Sequence, residues 1–147
     1  MLDERLTEWL SRLLERHGAV AGTVHLLRDD HLAIAAAVNI PPKVQELTAK
    51  IAFGKGMAGL AWQHDKPIQT CNLQEDTSGA VKPGAKAVDA RAAIALPVHR
   101  QAAIDPTGLR PGLSGIRAIV GLAWMDERVL SDATVAAIAS DAATLPE

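Results

Sequence analysis

Two stretches of this chain alternate with a period of two. Ala92, Ile94, Leu96 and Val98 recur at every second position, and Ile116, Ala118, Val120, Leu122 and Trp124 do so again. That period belongs to a strand with one buried face. Residues 100–115 between them carry the turn signals Asp105-Pro106-Thr107-Gly108 and Pro111-Gly112 and no helical period. A parallel pair needs a crossover, usually a helix. The two strands are therefore predicted to be joined like a hairpin, in an antiparallel sheet.

The rest of the chain fits around that sheet. Leu2, Leu6, Trp9, Leu10 and Leu13 recur at three- and four-residue spacing, which predicts an amphipathic helix from about residue 3 to 17. Arg16 and His17 suit its C-terminal end, and Gly18 supplies a stop. A tryptophan on this stripe either packs on its own domain or forms a seam with a second subunit. From Thr23 the period is two. Val24 and Leu26 share one face, as do Leu32, Ile34, Ala36 and Val38 after the turn at Arg28 to His31, which predicts a β-hairpin. On the other face, Ala33, Ala35 and Ala37 would let another layer or a ligand approach closely. A short helix after Pro41-Pro42, a brief strand at 51–53, a helix ending before Pro67 and a strand at 68–71 follow. Ser131 reads as the N-cap of a last helix, over 131–143. No composition shift marks a boundary, so residues 1–147 read as one domain, with helices at 1–18 and 131–143.

Gly54, Gly56 and Gly59 satisfy GxGxxG, the pattern tied to dinucleotide binding. The context does not support that use. The strand before it has about three residues and the helix after it about eight, both short for a crossover unit, and an antiparallel sheet does not build the doubly wound crevice. Lys55 sits between the glycines and no GK[ST] follows, so this is no phosphate loop. The glycines read instead as a tight strand-to-helix turn with close packing.

Composition narrows the function classes. The net charge of −2 gives no basic surplus to neutralise phosphates, and Phe53, Trp9, Trp62 and Trp124 are the only aromatic residues, so nucleic-acid binding is not expected. No apolar run approaches the roughly 20 residues that span a bilayer. The charged start MLDERLTEWL lacks the apolar core of a signal peptide. A cytoplasmic protein without membrane contact is the expectation. A single cysteine, Cys71, excludes an intrachain disulfide.

Taken together, four segments resemble a GAF domain, a sensor module of signalling proteins: GTVHLLRDDHLAIAAAVNIPP; IAFGKGMAGLAWQHDKPIQTCNL; DARAAIALPV, with its apolar-proline-apolar step at Leu96-Pro97-Val98; and the closing strand followed by VLSDATVAAIA. The resemblance runs from about His17 to Asp141 and is nearest to short stand-alone bacterial GAF proteins. It implies an α+β fold: a central antiparallel sheet of about six strands, terminal helices on one face and a ligand pocket on the other. The pocket walls would be Met57 to His64, Asn72 to Arg91, and one side of strands 31–38 and 92–98. Its candidate ligand-binding residues are Trp62, Cys71, Asn72, Gln74, Asp76, Thr77, Ser78, Lys82, Lys86, Asp89 and Arg91. The three cations among them suit a carboxylate or phosphate; a solvated polar loop is the plainer alternative.

Other chemistry fits less well. GAF proteins that reduce free methionine sulfoxide rely on several cysteines, whereas a sulfenic acid at Cys71 would meet no intrachain resolving thiol. Cys71 reads as a small core thiol or a redox-sensing one. Phytochrome-like members attach a bilin through a loop cysteine that this chain lacks. His17, His25, His31, His64 and His99 fall in no metal-ligand spacing; His64, near the pocket, is the candidate if a haem were held. No cofactor is expected. The leading expectation is a non-enzymatic module that senses a small, anionic molecule and acts through a homodimer built on the terminal helices or through a signalling partner. A dimerisation scaffold without ligand, or a thiol sensor or reductase using Cys71, are the alternatives.

Overall fold

A computed structural model of the chain describes residues 2–70, 91–99, 115–126 and 128–146. The elements in order are α1 (Glu4–His17), β1 (Ala21–Arg28), β2 (His31–Val38), α2 (Pro42–Leu47), β3 (Lys50–Ala52), α3 (Gly56–His64), β4 (Ile68–Thr70), β5 (Ala92–His99), β6 (Ile116–Trp124) and α4 (Asp132–Ala142). The strands form one six-stranded sheet in the order β3-β2-β1-β6-β5-β4, with antiparallel neighbours throughout. The predicted α+β class and the predicted pairing of β5 with β6 are both observed.

Local chemistry explains the helix ends. Asp3 caps α1, its carboxylate accepting from the N–H groups of Arg5 and Leu6. Gly18, at φ 65°, ends the same helix in the left-handed region. Ser131 caps α4 by accepting from the Thr134 N–H. α1 lays Leu6, Leu10, Leu13 and Leu14 on the sheet. Trp9 packs partly against the same core, and its indole N–H donates to Thr144 Oγ1 at 3.1 Å, tying α1 to the chain after α4. The His17 ring meets the Asp141 carboxylate at 2.7 Å, and Trp124 Nε1–H donates to the His17 carbonyl at 3.0 Å. Both terminal helices thus cover one face of the sheet.

The hairpin departs from the expected alternation at one point. Val24 pairs with Ala36 but His25 pairs with Ile34, so Ala35 is an extra residue in β2. Such a bulge lets two residues oppose one and shifts the parity of all that follows. Ala35 and Ala36 both reach the core under the helices, while Leu32 belongs to the opposite layer. Leu32, Ile34, Ala36 and Val38 therefore do not share a face. Of the two uses expected for the alanine row, another layer or a ligand, the structure shows the layer: Ala35 meets α1, and its carbonyl accepts from the Asp3 N–H at 2.6 Å.

The glycine motif serves backbone geometry. Gly54 and Gly56 have φ of 74° and 67°. A Cβ on Gly59 would come within 2.7 Å of the Ala52 carbonyl oxygen, so α3 can approach β3 only because that residue has no side chain.

Candidate functional site

The three central strands carry very different residues on their two faces. Register brings Val24, Val120 and Leu96 into one row, and Leu122 beside Ile94 in the next. These side chains pack under α1 and α4. On the opposite face the rows are Ala21, Ala123 and Ala93, then Thr23, Gly121 and Ala95. α2 and the first turn of α3 pack over those small residues, and the edge strand β3 borders the same space. The space between is a cavity of about 620 Å3, a common size for a small-molecule site.

Its lining is mostly apolar. Ala93, Ala95, Gly121 and Ala123 form the floor with Ile119, while Ile40, Val44, Leu47, Ile51 and Met57 form the roof and sides. The polar groups are few. Thr23 and Thr48 line the cavity, and the Thr48 hydroxyl donates to the Val44 carbonyl at 2.8 Å. Lys50 and Lys55 are exposed and stand at the cavity's edge; no carboxylate lines it among the described residues.

His25 differs from the rest. It is the one buried polar side chain among the described residues, 3% exposed. Its Nε2 lies 2.8 Å from the Thr48 carbonyl oxygen. A carbonyl only accepts, so Nε2 carries the proton and donates. The other ring nitrogen, Nδ1, is then a bare acceptor. It is buried and meets no hydrogen-bond partner among the described residues. Burial holds the imidazole below the ordinary histidine pKa, and the hydrogen bond to Thr48 opposes this in part.

Of the residues expected at the site from sequence, two are described. Trp62 is not among the lining residues; it packs edge-on against Phe53, with centroids 4.9 Å apart and planes at 89°. Arg91 is exposed at the start of β5, where its backbone N–H donates to the Trp124 carbonyl. Cys71, Asn72, Gln74, Asp76, Thr77, Ser78, Lys82, Lys86 and Asp89 lie outside the described residues. The walls also differ in part from expectation. β5 lines the cavity at Ala93 and Ala95, as expected of strand 92–98, but β2 contributes no described lining residue and α3 contributes only Gly56, Met57 and Ala58; β1, β6 and α2 line it as well. No group of three or more metal-ligating side chains occurs among the described residues.

No protein-family model matches the sequence, and neither does any curated protein. Solved structures do match. The GAF domain of an Acinetobacter phosphoenolpyruvate-protein phosphotransferase aligns over 95% of this chain and 76% of its own, with 13% identity and a TM-score of 0.70. A GAF domain/HD domain protein from Geobacter sulfurreducens aligns over 94% and 87%, with 13% identity and a TM-score of 0.65. A type II free methionine-R-sulfoxide reductase from Thermoplasma acidophilum aligns over 96% and 89%, with 16% identity and a TM-score of 0.69. The fold is that of GAF domains, which such reductases share; identities this low carry no activity with them. No described helix is long and apolar enough to cross a membrane.

Proposed function

We propose that the protein is a regulatory GAF module that binds a small molecule in the cavity between the β1-β6-β5 floor and the α2-α3 roof. The observation that carries this reading is the hollow itself. It is large, mostly apolar, and lined by His25, whose buried Nδ1 has no partner among the described residues. Lys50 and Lys55 favour a ligand with an acidic group, in keeping with the anionic ligand expected from sequence though at other residues.

The route to an output runs through the shared strands. Each floor residue has neighbours in sequence that pack against α1 or α4, so a ligand that draws the strands together bears on how those helices sit. It shifts the module only if it binds two arrangements with different affinity. The terminal helices are the proposed surface for a homodimer or signalling partner, and the cytoplasm is the proposed compartment. A thermal-shift screen with organic acids, amino acids and nucleotides tests the reading. A ligand of the folded state raises the melting point saturably, and Ala93→Leu, which fills the floor, abolishes the rise. A rise that survives Ala93→Leu, or no hit at all, counts against it.

A second reading, catalysis at Cys71, is favoured by the structural likeness to methionine-R-sulfoxide reductases. Cys71 is the sole cysteine. Turnover would then need a thiol from outside the chain to resolve the oxidised sulfur. Methionine formation from free methionine sulfoxide with a dithiol supplied, lost in Cys71→Ser, would establish that reading.

A further inference from the structure

His25 sits where an apolar strand would ordinarily place an aliphatic residue. Its row on the pocket face continues to Ile119 and Pro97, neither of which offers a side-chain donor. Burying an imidazole nitrogen without a hydrogen bond costs free energy comparable to a lost hydrogen bond. Thr23, on the same face of β1, and Lys50 and Lys55 line the cavity but make no bond to Nδ1. The ring's own N–H is held by the Thr48 carbonyl, and the Thr48 hydroxyl is held by the Val44 carbonyl. The bond to the Thr48 carbonyl also fixes which ring nitrogen is bare. The ring cannot swap roles without leaving the Thr48 carbonyl unpaired.

We propose that His25 is the polar anchor of this pocket and selects ligands whose apolar body carries an N–H or O–H donor. This rests on the reading of the hollow as a ligand pocket. The ligand's donor meets Nδ1 after a small opening of the cavity wall, since that nitrogen is buried without ligand; its body covers Ala93, Ala95, Gly121 and Ala123, and an acidic group reaches Lys50 or Lys55. A molecule of the same shape without the donor leaves Nδ1 as unsatisfied as it is in the empty pocket. A donor that satisfies Nδ1 recovers what the bare nitrogen costs, and the isostere does not. His25 also joins the ligand to the roof, because the same ring holds the segment between α2 and β3 through Thr48. Occupancy is therefore felt at Thr48 as well as on the floor.

Matched acids test this on the whole chain. Indole-3-acetate and benzofuran-3-acetate have the same outline, but only the indole has an N–H. 4-Hydroxyphenylacetate and 4-fluorophenylacetate form a second pair. Calorimetric titration is expected to give about tenfold tighter binding for the donor-bearing member of a pair, and His25→Leu is expected to erase that preference. Imidazole nitrogen NMR gives a readout that does not depend on a variant folding. In the parent, the unprotonated Nδ1 signal of His25 moves on adding the donor-bearing acid and stays in place with its isostere. Equal affinities within both pairs, or a preference that persists in His25→Leu with an unmoved Nδ1 signal, overturn the anchor while leaving the pocket intact. No binding by any of the four acids overturns both.

Discussion

The two faces of the β1-β6-β5 sheet share one backbone and one register, yet differ in packing. Beneath α1 and α4 the rows are built from Val24, Val120 and Leu96, with Ile94, Leu122 and Trp124 beside them. On the other face the same strands offer alanine, glycine and threonine, and a hollow remains. Interiors normally close to crystal-like density. Side chains this small, under a roof held by α2 and α3, leave space that the helix face does not. The lesson is a division of labour: one face supplies stability and the other supplies room.

Substitutions that exchange those properties give the largest effects. Leu10→Ala, at a fully buried site under α1, should lower stability by about 2–5 kcal/mol in urea unfolding. A loss below ~1 kcal/mol would mean that the helix face is not the main core. Gly59→Ala should cost about 1–3 kcal/mol, because the added methyl meets the Ala52 carbonyl oxygen. Unchanged stability would show that α3 can shift away from β3.

Acid should expose the strain on the pocket side. Burial depresses the folded-state pKa of His25 below its unfolded value near 6.5. The charged residues lining the cavity are Lys50 and Lys55, and no acid among the described lining residues would stabilise an imidazolium there. The unfolded chain therefore binds a proton that the folded chain refuses. This contribution is constant above pH 6.5, and stability falls as the pH drops from there toward the folded pKa. The slope from this one group is at most about 1.4 kcal/mol per pH unit. The difference between parent and His25→Leu isolates it, since the other histidines are common to both proteins. Parallel pH profiles for the two would contradict the buried, neutral ring. The smallest effect belongs to the hollow. Ala93→Leu should change stability by less than about 1 kcal/mol, because the added atoms enter free space. A cost of 1–3 kcal/mol, usual for a filled core, would show that the floor is already packed.

Much of this architecture was legible in the chain. The alternation at Ala92 to Val98 and Ile116 to Trp124 predicted the central pair, and the stripe from Leu2 to Leu13 with Gly18 after it predicted α1. The glycine motif forms the turn that its short flanking elements, β3 and α3, predict. The pocket was less legible. Its signal lay in the positions opposite the bulky ones, Ala93 and Ala95 on one strand and Gly121 and Ala123 on the other. Of the two strands expected to wall it, 92–98 does so at Ala93 and Ala95, while 31–38, with Ala33, Ala35 and Ala37, does not. A bulge depends on how two strands pair, which periodicity within one strand does not encode, and it turned Ala35 toward α1. His25 interrupts the apolar run of β1 between Val24 and Leu26, but a histidine in a strand signals a site only once its partners are known. The polar stretch from Asn72 to Asp89 lies outside the described residues; the cavity among the described ones is defined by small apolar side chains.

Methyl NMR on alanine-labelled protein compares the faces directly. Ala93, Ala95 and Ala123 line the hollow, while Ala92 and Ala118 belong to the helix-side core. On titration with the tightest-binding acid of the thermal-shift screen, the first three methyl signals should move saturably, and by more than the other two. Larger shifts at Ala92 and Ala118, or no acid that moves any of the five, would contradict the assignment of the pocket to this face of the sheet.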